Sequence, residues 1–113
     1  MLHLCRDRDR SLPAREDGVE PYTEWFRKLR DTAAKVSIAS RLRRIEAGNF
    51  GDCKPVGEGV SELRIHIGPG YRIYYGQHGS MMVILLCGGE KGSQARDVVK
   101  AKTLWAEWRQ RQP

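Results

Sequence analysis

The sequence predicts an α+β protein: a small twisted antiparallel sheet packed against two N-terminal helices, with a C-terminal helix to follow. Three observations carry that expectation. Residues 62–76, "ELRIHIGPGYRIYYG", alternate apolar and polar side chains on both sides of a Gly-Pro-Gly turn, as two antiparallel strands do. Residues 81–87, "MMVILLC", form an unbroken apolar run of strand length, the pattern of a strand covered on both faces. Apolar residues recur at helical spacing before and after this region. A chain of 113 residues suits one core, so residues 1–113 are expected to form a single domain.

Residues 1–18 hold the charged run "RDRDR" and little periodicity, although "LHLCR" alternates enough for a short edge strand. In "EPYTEWFRKL", Pro21 suits a first helical turn, Glu20 and Glu24 lie near its positive end, and Tyr22, Trp25, Phe26 and Leu29 fall at helical spacing. A second helix starts after Asp31 or Thr32 as cap, carries Ala34, Ile38, Leu42 and Ile45 on its apolar stripe, and stops at Gly48. Its opposite face is basic, with Lys35, Arg41, Arg43 and Arg44. Glycines and a proline punctuate "NFGDCKPVGEGV", which reads as a loop that delivers Lys54 to the start of the sheet. A three-strand meander follows, Val60–Ile67, Tyr71–Tyr75 and Met81–Cys87. The last helix begins near Ser93 and places Ala95, Val98, Ala101, Lys102, Trp105 and Trp108 on one stripe.

Lysine and arginine outnumber aspartate and glutamate 20 to 14, a formal charge of +6 that suits a polyanionic partner such as nucleic acid or an acidic protein. The three cysteines, Cys5, Cys53 and Cys87, are odd in number and lack metal-ligand spacing, which points to reduced thiols rather than to a disulfide framework or a zinc site. The N-terminus has no signal-peptide apolar core and "MMVILLC" is too short to span a bilayer, so a cytoplasmic protein without membrane association is expected. "CGGEKGSQ" lacks the spacing of a nucleotide-binding P-loop, and its glycines serve equally well as a plain strand-to-helix turn.

If Gly68–Gly70 is a three-residue turn, Ile67 lies opposite Tyr71, His66 opposite Arg72, Ile65 opposite Ile73 and Arg64 opposite Tyr74. Leu63, Ile65, Ile67, Tyr71, Ile73 and Tyr75 then share the face that packs on the helices. Glu62, Arg64, His66, Arg72 and Tyr74 share the other. Arginine's planar fork matches a phosphate, and an imidazole exchanges protons near neutrality. Such a face suits phosphodiester cleavage; it also suits the solvated side of a half-exposed sheet. Lys54 and Lys91 have the same two readings.

On these residues, "RLRRIEAGNFGDCKPVGEGVSELRIHIGPGYRIYYG" and "VILLCGGEKGSQARDVVKAK", the chain resembles the addiction-module killer proteins of the RelE/ParE toxin superfamily, HigB-like, over roughly residues 21–102. The resemblance implies a RelE-like sheet on two N-terminal helices, often preceded by a short strand. It also implies the toxic half of a type II toxin–antitoxin pair. RelE-like members cut mRNA on the ribosome without a metal or other cofactor; ParE-like members share the fold and poison DNA gyrase. The implied partners are a helix-turn-helix, HigA-like antitoxin, the ribosome and its mRNA, and DNA through the antitoxin complex.

Carried over residue by residue, the resemblance implies catalytic roles for Arg64, His66, Arg72 and Lys91, and RNA contact by Lys54 as a looser match. Arg41, Arg43, Arg44 and Tyr74 join the expected RNA-binding set on charge and face. The tyrosine that some RelE proteins carry near the C-terminus has no counterpart here, which leaves His66 as the main acid–base candidate. Metal-free cleavage needs a base for the 2′-hydroxyl, cations for the phosphorane and an acid for the leaving 5′-oxygen. A gyrase poison or other binding toxin needs no histidine paired with an arginine.

Overall fold

The computed structural model describes residues 3–5, 20–79 and 82–111. The charged leader expected over residues 1–18 lies outside them apart from its strand, β1 (His3–Cys5), whose backbone pairs in parallel with a later strand, as the alternation of "LHLCR" predicts.

Helix α1 (Pro21–Lys28) begins at its proline and half-buries Trp25 and Phe26 against the core. Helix α2 (Thr32–Glu46) is capped by Asp31, whose Oδ1 accepts from the Ala34 amide at 3.0 Å, and it buries Ala34, Ile38, Leu42 and Ile45 as the spacing requires. Strands β2 (Cys53–Gly57), β3 (Val60–Ile65), β4 (Tyr71–His78) and β5 (Met82–Glu90) each run antiparallel to the next of the four. A single 3-10 turn, Lys91–Ser93, leads into α3 (Gln94–Gln110). Among the described residues the sheet order is β1-β5-β4-β3-β2, so an antiparallel four-strand sheet carries a parallel edge strand, and three helices complete an α+β fold. Among the described residues no helix is long and apolar enough to cross a membrane.

Two expectations need correction. The segment read as a loop contains β2, a real strand whose proline, Pro55, is tolerated because β2 is the sheet edge. The β3–β4 connection is also wider than a three-residue turn. The Ile67 amide bonds back to Ile65 O at 3.1 Å and the Gly70 amide to Ile67 O at 3.0 Å, so the ladder ends at Ile65 opposite Tyr71. Arg64 therefore faces Arg72, Glu62 faces Tyr74, and His66 lies outside the ladder. The difference amounts to two positions, and because strand side chains alternate with period two, every residue within the ladder keeps its expected side of the sheet.

Both sides are covered. At the end of β5 a side chain at Gly88 would strike the Trp25 ring of α1, and one at the adjacent Gly89 would strike Asp97 of α3, which sets the two helices on opposite faces. Asp31, the cap of α2, accepts from the Tyr71 hydroxyl at 3.3 Å and Tyr71 meets Trp25 edge-on, so α2 shares the α1 face. The other face receives Trp105 of α3 against Gly76. Double cover explains why Val83, Ile84, Leu85, Leu86 and Cys87 of β5 are all buried. It also overturns the expectation of a solvated Glu62 face.

Candidate functional site

Glu62 is fully buried on the α3 face of the sheet. Its carboxylate would be costly there without partners, and it has four. Arg72 Nη1 donates to Oε1 at 2.6 Å and Arg64 Nε to the same oxygen at 3.0 Å. On Oε2 it accepts from the Tyr74 hydroxyl at 3.0 Å and from Gln94 Nε2, at the start of α3, at 2.8 Å. Desolvation pushes the Glu62 pKa up, yet hydrogen bonds from Arg64 and Tyr74, with the charge and bond of Arg72, outweigh it and leave the carboxyl below its usual range. Burial, with the Glu62 carboxylate beside it, pushes the Tyr74 phenol far above its ordinary value.

This cluster brings Arg64, Arg72 and Tyr74 together and also changes their roles. Tyr74 is completely buried and occupied, so the expected RNA contact is corrected: no face of its ring is open to a base. The Arg72 side chain is only 12% exposed and closes on Glu62, so a free phosphate clamp is corrected to a buried ion pair. Arg64 keeps 28% of its side chain exposed while its Nε is held, so it alone of the three reaches the open rim.

His66, Lys54 and Lys91 are all exposed. Lys54 stands opposite Glu62 across β2 and β3, on the same side of the sheet. Lys91 follows β5, its amide bonded to Gly70 O at 2.9 Å. His66 is not the cross-strand neighbour of Arg72; its Nε2 meets Oδ2 of Asp52 instead. That contact, ahead of the nearby Arg64 and Arg41 charges, holds the Asp52 carboxyl below its usual range.

The basic face of α2 divides. Arg41 donates to Arg64 O at 2.6 Å, Phe50 O at 3.3 Å and Asp52 O at 3.2 Å, so its expected place among the phosphate-meeting arginines is corrected to that of a clamp on the chain entering β2. Arg43 and Arg44 are exposed in the last turn of α2, on the side of the sheet away from Glu62, and do not converge with the rim.

An uncharacterized protein of Haemophilus influenzae is 45% identical to this chain over 86 residues, which span 76% of this chain and 87% of that protein. The chain belongs to the family of that protein. No family model matches the chain, and no solved structure matches it.

For this member of the Haemophilus influenzae protein's family, the sequence reading missed Asp52, Gln94 and the central part of Glu62. Glu62 and Gln94 are 32 positions apart and meet only because α3 folds over β3. One signal did point to them: a fully apolar β5 implies cover on both faces, and a glutamate on a covered face requires cationic partners. Among the described residues no group of three or more His, Cys, Asp or Glu is placed to hold a metal ion.

Proposed function

We propose that this chain is the toxin of a type II toxin–antitoxin pair of the RelE/ParE superfamily, and that it is a metal-independent endoribonuclease acting on mRNA at the ribosome. The carrying observation is Arg64: Glu62 pins its Nε while 28% of its side chain stays exposed, on the side of the sheet that also carries the exposed Lys54. A cation held in place by a buried anion suits a phosphate, because little orientation is left to be lost on binding. The antiparallel sheet with two preceding helices and a parallel N-terminal edge strand supports the RelE-like reading of the fold.

In this reading His66 takes the proton of the 2′-hydroxyl. The 2′-oxygen bonds to phosphorus, the bond from phosphorus to the 5′-oxygen breaks, and that oxygen leaves with a proton from water, giving a 2′,3′-cyclic phosphate and a 5′-hydroxyl. Arg64, Lys54 and Lys91 stabilise the charge on the phosphorane. Arg72 acts through Glu62 to orient Arg64. The partners are a cytoplasmic antitoxin, which covers the basic rim, and the ribosome, which positions the mRNA.

A specific observation favours a second reading, a ParE-like gyrase poison or other binding toxin: Arg72 and Tyr74 are committed to the buried network, so no acid–base pair forms within the ladder itself. Expression in bacteria with mapping of new 5′ ends across translated mRNA, beside a gyrase supercoiling assay, decides between them. New 5′ ends that vanish in His66→Ala support the nuclease; inhibited supercoiling without new ends replaces it by the gyrase reading. Growth rescue by the adjacent small reading frame tests the pairing with an antitoxin.

A further inference from the structure

We infer that Asp52 is a positioning residue for His66, holding the imidazole in the tautomer that leaves Nδ1 free to accept a proton. The inference rests on the nuclease reading for its catalytic consequence and on geometry for its physical content.

A carboxylate only accepts hydrogen bonds, so the contact between Asp52 Oδ2 and His66 Nε2 places the ring proton on Nε2. The neutral ring then presents its lone pair at Nδ1. Both ends of the pair are anchored by the backbone, unlike an incidental surface ion pair between two long side chains. Asp52 O accepts from the Arg64 amide at 3.0 Å and from Arg41 Nη2 at 3.2 Å, which fixes the residue just ahead of β2. His66 is held by the Ile65–Gly70 connection, where the Ile67 and Gly70 amides bond back within the turn. Asp52 lies beside Arg64 in the continuation of the β2–β3 ladder, which puts it on the same side of the sheet as the pinned guanidinium, and the contact with Asp52 brings the His66 ring to that side. Side-chain exposure of 71% for His66 and 46% for Asp52 leaves the ring reachable by RNA.

The arrangement matches the general form of an activated base, in which a third group orients the residue that moves the proton. On cleavage the 2′-hydroxyl proton passes to Nδ1, the imidazolium that forms is stabilised by the Asp52 carboxylate at Nε2, and the proton returns to solvent after product leaves. No oxidant or metal enters the balance.

The test uses the full chain and two readouts. Nitrogen-15 NMR of the imidazole at pH 8 should place the proton on Nε2 of His66 in the parent protein, and Asp52→Ala should shift the ring toward a mixture of tautomers. Ribosome-dependent cleavage by Asp52→Ala should lose on the order of 10-fold or more in kcat with KM little changed, against roughly 10²–10⁴-fold for His66→Ala. Asp52→Glu should recover part of the loss. An unchanged tautomer ratio in Asp52→Ala overturns the inference whatever the activity. So does full kcat in Asp52→Ala alongside an inactive His66→Ala, an outcome that leaves the nuclease reading standing. If the parent cleaves no mRNA, the nuclease reading falls, and the tautomer measurement still decides whether Asp52 orients His66.

Discussion

Arg64 and Arg72 stand directly opposite each other across β3 and β4, and both donate to the same oxygen of Glu62, at 3.0 and 2.6 Å. Two like charges in that position repel; one buried carboxylate between them makes the pairing tolerable. Glu62→Ala should therefore destabilise the protein by about 3–5 kcal/mol, since it leaves two partly buried guanidiniums without a counter-charge. Urea denaturation with far-UV circular dichroism measures this, and a midpoint equal to the parent's would show that the guanidiniums simply turn out to water.

The same carboxylate sets a pH dependence. Its folded pKa lies below the ordinary 4.5, so it contributes stability that is fully present above that value and is lost as pH falls through the lower folded pKa. Glu62→Gln should start less stable at neutral pH and lose less stability below pH 4.5, flattening the acid limb. The carboxyls of Glu24 and Asp52, also lowered, remain in both proteins and leave a residual slope. Identical acid limbs in the two proteins would assign the acid sensitivity to those groups.

The arginines of α2 should separate by role. Arg41→Ala removes donors to three backbone carbonyls and should lower stability by about 1–3 kcal/mol, the scale of unsatisfied groups after loss of a charged donor. Arg43→Ala and Arg44→Ala, at exposed sites, should stay within about 0.5 kcal/mol of the parent. If Arg43 and Arg44 meet phosphates, the double variant should also show a shallower salt dependence of RNA or ribosome binding, by about one unit of slope per contact. An unchanged slope would reduce them to a solvated helix end.

Cys87 should be chemically silent in the folded protein. Burial pushes its thiol up to about 12, ahead of the effects of Lys100 and Asp97, so almost no thiolate exists at pH 8. Alkylation by iodoacetamide, read by peptide mass spectrometry, should label Cys87 only after denaturation, whereas the half-exposed Cys53 should react in the native state. Rapid native labelling of Cys87 would reveal opening of α3 from β5, because the thiol donates to Asp97 O of that helix at 3.7 Å.

The local code determined the elements that depend on near neighbours. Pro21 and Asp31 start helices, the stripe from Ala34 to Ile45 buries one side of α2, and the alternation of residues 60–65 and 71–76 assigns each side chain to a face even though the exact ladder differs by two positions. Strand β2 escaped notice because glycine and proline carry a turn signal that an edge strand also tolerates. What only tertiary structure decided was the environment of the polar face. Whether Glu62, Arg72 and Tyr74 meet RNA or one another depends on where α3 lies, and that is settled by Trp105 against Gly76 and Gln94 on Glu62, contacts between residues about 30 positions apart. Burial and electrostatic pairing are properties of the assembled layers, so a chain can spell out which residues share a face while the packing of another element decides whether that face is open.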